Sequence, residues 1–377
     1  MVRNIHIKWM VAVLGIAAAV NIFTKTIIVP ELGDGKLMAL ILANREIFPA
    51  TKYLAGMETL RMGYAAIWQF PPLLILLPDT IINHSDFIRI AGIVVMACMS
   101  IYLLQAYPGK YRVLLVITTP IWILFSFGYL EYYPFIAGVY LALLCWAFDG
   151  DFEEKSELSI GLIAGSLPLL YLGFAPVSFI MLLVYLWGAR TAVVARTLAA
   201  LFLGFVITLK IFWANNLSDY FISLYQEMNF GEKNTVYEAY RGMSANATSI
   251  FFKSSYVWSV AHLKEISGML AYGLGLAPIA IFAIGIFVHI RKVVFFTKKS
   301  ILAILILGWA LFYLIYTIPK LGPIVDIDMF FMTYITVAFF GGALLDMSKN
   351  IKHTAIGTLC LLSTCASLML LLRLTAI

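Results

Sequence analysis

The sequence predicts an all-α polytopic membrane protein with about eleven transmembrane helices, and three observations carry that reading. Of 377 residues, 62% are hydrophobic and only 12% are charged, where water-soluble domains carry about 25% charged residues. Mean hydropathy is +0.94. Apolar runs of near-spanning length recur along most of the chain, with basic residues at their ends. A globule of this composition cannot cover its surface with polar groups, so its solvent is largely lipid. That excludes a secreted disulfide scaffold, a disordered chain and a cytosolic nucleotide-binding enzyme.

The runs fall at 9–29, 87–106, 112–128, 131–148, 158–173, 175–189, 192–213, 266–289, 300–318, 328–346 and 354–373. The first follows Arg3 and Lys8 and reads as a retained anchor, being long for a signal peptide. Residues 1–377 form a single transmembrane domain on this reading. Lys and Arg in the short loops fix the sides. With the N-terminus cytoplasmic, Arg3/Lys8, Lys110/Arg112, Arg190/Arg196, Arg291/Lys292/Lys298/Lys299 and Lys349/Lys352 all share the cytoplasmic face. The acidic loop Asp149 to Glu157 joins them there, and acidic residues weigh little in this rule. The net charge of +6 therefore reflects topology, and no nucleic-acid partner is implied. Cys98, Cys145, Cys360 and Cys365 lie inside apolar runs without CxxC spacing, as packing residues do.

Two long segments are left outside, 30–86 and 214–265. Residues 36–62 alternate apolar and charged positions at helical spacing, and Gly63 to Ile82 is apolar but broken by Phe70-Pro71-Pro72. Both features suit interfacial amphipathic helices in the first external loop. The second external loop is polar and Tyr-rich, with sequons at Asn216 and Asn246 that agree with an outside location. There is no P-loop, GxGxxG, HExxH or GxSxG.

Carboxylates at the ends of spans are expensive and invite a functional question. On this topology four converge on the outer rim. Asp34 lies in Glu31-Leu-Gly-Asp34-Gly-Lys36, Glu131 in Gly128-Tyr-Leu-Glu131-Tyr-Tyr-Pro134, and Asp326 and Asp328 in Gly322-Pro-Ile-Val-Asp326-Ile-Asp328-Met-Phe330. Taken singly, Asp34 also fits a turn residue, and Glu131 and Asp328 also fit helix caps. Arg61, Arg89, Lys264 and other cations share that side, and His262 in Val260-Ala-His262-Leu-Lys264 begins the eighth span. An interfacial His is a plain hydrogen-bonded residue or, beside Lys264, a phosphate ligand. Tyr129, Tyr132 and Tyr133 fit the aromatic belt, and also sugar stacking.

The order of these parts resembles the GT-C superfamily of membrane glycosyltransferases. The resemblance rests on an acid after the first helix, amphipathic helices in the first loop, Pro71-Pro72-Leu73, and Arg89 opening the second span. It rests further on Gly128-Tyr129-Leu130-Glu131-Tyr132-Tyr133, on Val260-Ala261-His262-Leu263, and on Gly322-Pro323 with Asp326, Asp328 and Phe330. Ile327 stands where relatives often carry Trp between two acids, and Gly35-Lys36 replaces a fuller polar signature.

The resemblance implies transfer of a sugar from a polyprenyl-phosphate donor to a lipid, glycan or protein acceptor. Transfer would take place on the non-cytosolic side of a plasma or inner membrane. Asp34 is then the general base, and one base with direct displacement implies inversion. Glu131, Tyr132, Asp326 and Asp328 bind the sugar, and Arg61, His262 and Lys264 face the donor phosphate. Asp326 and Asp328 are also the candidate oxygen ligands of an optional divalent cation, Mg2+ or Mn2+. A transporter or flippase of a lipid-linked sugar, or a non-catalytic membrane scaffold, accounts for the same hydrophobicity and polar span ends.

Overall fold

In a computed structural model, the described residues are 84–107, 110–129, 133–212, 247–248, 251–252, 254–275, 278–279, 281–283, 297–317 and 330–346. They are helical apart from one antiparallel ladder, β1 (Ala247–Thr248) against β2 (Phe251–Phe252). The helices are α1 (His84–Ala106), α2 (Lys110–Ile117), α3 (Pro120–Ser126), α4 (Tyr133–Phe148), α5 (Glu157–Leu170), α6 (Ala175–Leu186), α7 (Thr191–Phe212), α8 (Ser254–Val257), α9 (Val260–Met269), α10 (Lys298–Tyr316) and α11 (Phe331–Asp346). Among these residues three segments are long and apolar enough to cross a membrane: Arg89–Ala106, Thr191–Lys210 and Lys298–Tyr316. By length and composition these helices mark an integral membrane protein, and its described residues are mainly helical. The apolar runs 9–29 and 354–373 and residues 30–83 of the first external loop lie outside the described residues.

Local sequence explains where the helices start. Ser156, Ser259 and Thr297 accept hydrogen bonds from the backbone N–H three residues on, capping α5, α9 and α10. Two expected spans differ from their uninterrupted reading. The run 112–128 is two helices, because Thr119 caps a new start and Pro120 occupies its first position. The helix of the eighth run begins at Val260, with His262 in its first turn as expected, but α9 passes into a π turn, Leu270–Leu274, that stops at Gly275 with φ +84°. The two breaks touch: a Cβ on Gly275 would stand 3.2 Å from Pro120 Cδ.

α4 and α11 are buried along most of their length and form the centre. Burial in a lipid-bathed bundle demands that polar groups find partners inside it. Tyr140 on α4 and Thr336 on α11 share a 2.7 Å hydrogen bond. Thr333 donates to the Ala310 carbonyl at 2.7 Å, and Trp122 Nε1 donates to Ser100 Oγ at 3.1 Å. α5 and α7 meet through small residues: Cβ atoms on Gly161, Gly165 or Gly204 would strike backbone carbonyls of the facing helix. This is the close approach that packs membrane helices when lipid offers no hydrophobic drive. The outer faces remain apolar, with Phe202 68% and Phe179 65% exposed.

The long helices run up and down, so charges sort to two ends. At one end Arg112 Nε lies 3.3 Å from Asp346 Oδ2, and its Nη1 donates to the Tyr107 hydroxyl at 2.6 Å. There too Arg196 pairs with Glu157 at 2.7 Å, Lys299 Nζ donates to Gly150 O at 2.8 Å and Lys298 Nζ to Tyr185 O at 3.3 Å. Arg112, Arg196, Lys298, Lys299 and the acidic 149–157 loop thus share one end, as the topology requires. Arg3, Lys8, Lys349 and Lys352 lie outside the described residues.

Candidate functional site

The opposite end of the bundle holds His262 and Arg89, with the described flanks at Gly128, Tyr133 and Phe331. α9 opens with Ser259 accepting from the His262 backbone N–H at 3.2 Å, which sets His262 in the first turn. Its imidazole is 2% exposed. Nε2 lies 2.7 Å from the carbonyl oxygen of Ile315, in the last turn of α10. A carbonyl only accepts, so Nε2 carries a proton. Nδ1 lies 3.2 Å from Glu265 Oε2, one turn along α9. The other carboxylate oxygen of Glu265 accepts from the Tyr256 hydroxyl at 3.0 Å. The Tyr256 ring also stands 5.3 Å from the imidazole, centroid to centroid. Burial, reinforced by the Glu265 carboxylate that accepts its proton, pushes the Tyr256 phenol up to about 12.

His262 is therefore engaged within the protein at both ring nitrogens, while Lys264, two residues on, is exposed. The sequence reading of His262 beside Lys264 overlooked Glu265. The signal was present as His262-x-x-Glu265, the spacing at which side chains on a helix meet.

Asp34, Arg61, Glu131, Tyr132, Asp326 and Asp328 lie outside the described residues. Residues flanking Glu131 and Tyr132 and residues following Asp328 are described, and these converge. Arg89 Nη1 donates to the Gly128 carbonyl at 3.1 Å, joining the start of the second span to the Gly-Tyr-Leu-Glu stretch. The ring of Tyr133, two residues after Glu131, lies 5.8 Å from that of Phe331, three residues after Asp328, with the planes tilted. Phe330 lies 5.6 Å from Tyr313, in the same last turn of α10 that receives His262. Tyr129 and Tyr133 are buried at 1% and 8% exposure, so they are core side chains rather than members of an aromatic belt. Phe125, Tyr171 and Phe174 complete the cluster around them.

Among the described residues no three of His, Cys, Asp and Glu stand together as a metal-binding group. The carboxylates expected to hold Mg2+ or Mn2+ fall outside them. What the described part supplies is a packed aromatic cluster and, at the same end of the bundle, the His262–Glu265 contact. No protein-family model, curated protein or solved structure matches the chain.

Proposed function

We propose that the chain is a membrane glycosyltransferase of the GT-C kind, with about eleven spans, a cytoplasmic N-terminus and its site on the non-cytosolic face. The observation that supports this reading is the convergence of motif flanks at one end of the bundle. Arg89 with Gly128, Tyr133 with Phe331, and His262 with Ile315 draw separate stretches of chain to the end opposite the lysine-rich loops. Carboxylates far apart in sequence act together only on such a scaffold.

In the proposed reaction Asp34 takes the proton of an acceptor hydroxyl as that oxygen attacks the anomeric carbon of a polyprenyl-phosphate sugar. The bond to the phosphate oxygen breaks, the lipid phosphate leaves with the electron pair, and the configuration inverts. Arg61 and Lys264 face the departing phosphate, and Glu131, Tyr132, Asp326 and Asp328 hold the sugar. His262 acts there as a positioning residue rather than a direct phosphate ligand, because both ring nitrogens are engaged within the protein. The test is incubation of the purified full chain with radiolabelled polyprenyl-phosphate sugars and candidate acceptors. Transfer that falls roughly 100-fold or more in Asp34→Asn is the expected result, and an undiminished Asp34→Asn enzyme refutes the assignment.

A second reading, a transporter or flippase for a lipid-linked sugar, is favoured by the paired helix breaks. Discontinuous helices facing one another are a hallmark of transporter sites, and Pro120, at the break between α2 and α3, lies beside Gly275 at the end of the π turn. Movement of labelled lipid-sugar across vesicles without transfer to an acceptor would select it.

A further inference from the structure

We infer that the end of α6 seats the headgroup of an anionic phospholipid, at the lysine-rich end of the bundle. Phe179, Leu183 and Trp187 are all exposed. Their spacing of four residues aligns them in one stripe that runs along α6 to its last turn. In a lipid-bathed bundle such a stripe is a track for an acyl chain. Trp187 closes the track with an indole that is apolar on its faces and donates at Nε1.

Cations stand where the track ends. Lys298 Nζ, at the start of α10, donates to the Tyr185 carbonyl at 3.3 Å. That bond engages one of three ammonium protons. The chain then turns at Gly188, φ +71°, where the Ala189 N–H donates to the Leu186 carbonyl at 3.0 Å. Arg190 follows the turn and is exposed, three residues after Trp187. Arg196, further along α7, is held by Glu157 at 2.7 Å, and the two neutralise each other. Arg190 and Lys298 thus leave a net positive charge beside Trp187 among the described residues.

The acidic 149–157 loop packs on the other side of α6. Tyr185 donates its hydroxyl to the Lys155 carbonyl at 2.8 Å, and its ring meets that of Phe152 edge-on. Two helical residues rotate a side chain by roughly 200°, so Trp187 points away from the Tyr185 face and its loop. Lys299 donates to the Gly150 carbonyl at 2.8 Å, on the loop's side, whereas Lys298 goes to α6. What fits beside Trp187 is a phosphate diester: a planar guanidinium forks onto its oxygens and an ammonium meets its charge. The apolar stripe leading in makes the occupant a lipid rather than a free anion. A zwitterionic headgroup brings a cation of its own to the same place, so the seat discriminates by net charge. The site is independent of sugar transfer: it lies at the end opposite His262, and a transporter would carry it equally.

Trp187 reports its own occupant. The full chain is reconstituted in phosphatidylcholine vesicles containing a minor share of phosphatidylglycerol, or of phosphatidylcholine, brominated near the headgroup end of the acyl chains. Bromine quenches an indole on contact, and the share of Trp187 among the eight tryptophans is the difference from Trp187→Phe. Half-quenching is expected to need roughly tenfold less brominated phosphatidylglycerol than brominated phosphatidylcholine. Arg190→Gln and Lys298→Gln are each expected to lower that preference about fivefold, as loss of one cation near a headgroup requires. Lys155→Gln, which removes a cation on the loop's side of α6, is expected to leave it unchanged. Equal quenching by the two lipids overturns the proposal. So does a loss in Lys155→Gln as large as that in Arg190→Gln, because the preference would then belong to the whole end of the bundle. Should a variant fail to fold, the wild-type comparison of the two lipids still decides.

Discussion

The guanidinium of Arg89, near the start of α1, donates to the carbonyl of Gly128, 3.1 Å away and 39 residues later in the chain. That carbonyl is presented by a turn in which Gly128 adopts φ +89°, a region where a Cβ is strained. Gly128→Ala is expected to lower stability in detergent by about 1–3 kcal/mol. Gly308→Ala, on α10 where an added methyl meets nothing within 4 Å, is the matched control and is expected to be neutral or slightly stabilising. Equal melting losses in both variants would dismiss the turn's importance.

Tyr140 and Thr336 join the two central helices, and each is fully buried. Tyr140→Phe or Thr336→Val alone leaves one hydroxyl stranded and is expected to cost about 1–3 kcal/mol. The double variant is expected to cost less than the sum of the two. A thermal-melt cycle in detergent reads the coupling directly, and strict additivity would mean that the bond contributes nothing.

The α5–α7 contact leaves no room for a side chain at Gly165, where the Leu201 carbonyl occupies the space. Gly165→Leu is expected to abolish a monodisperse elution profile, whereas Gly268→Ala, open within 4 Å, is expected to elute as wild type. A well-behaved Gly165→Leu protein would contradict the close backbone approach.

Tyr107, just past the end of α1, is buried, and burial outweighs the pull of Arg112 to raise its phenol from 10.0 to about 12. The folded state therefore holds this proton more tightly than the unfolded chain does. The resulting stability, roughly 3 kcal/mol, is fully present below pH 10 and is lost as the pH rises through the folded value near 12. Melts between pH 9 and 11 should show a decline that is weaker in Tyr107→Phe. The same decline in both proteins would assign it elsewhere.

The two ends of the bundle predict sidedness. A cysteine replacing Lys264 is expected to react with an impermeant maleimide on intact cells or right-side-out vesicles, and one replacing Glu153 only after permeabilisation. Reaction of both from one side would break the topology, and with it the placement of the rim acids.

Much of this architecture was legible because apolar period and loop charge are properties of short windows. The runs behind α1, α4, α7, α10 and α11 and the shared end of Arg112, Arg196 and Lys298 were read that way. The break inside 112–128 was missed although Thr119-Pro120 is a helix-start signal, since a hydropathy window averages over two residues. The ring of Tyr133 looked like a belt residue because only packing against Phe331 distinguishes core from interface. Glu265 was legible in the local His262-x-x-Glu265 spacing, whereas the Ile315 carbonyl that holds His262 is 53 residues away, and no local pattern announces a backbone acceptor.

α6 has only 12 residues, roughly 18 Å of helix at 1.5 Å per residue, against a hydrocarbon slab about 30 Å thick. Phe179, Leu183 and Trp187 nonetheless face outward from it or its end. A helix this short spans such a slab only where acyl chains beside it shorten or splay, so α6 either crosses in a local dimple or ends beneath the surface.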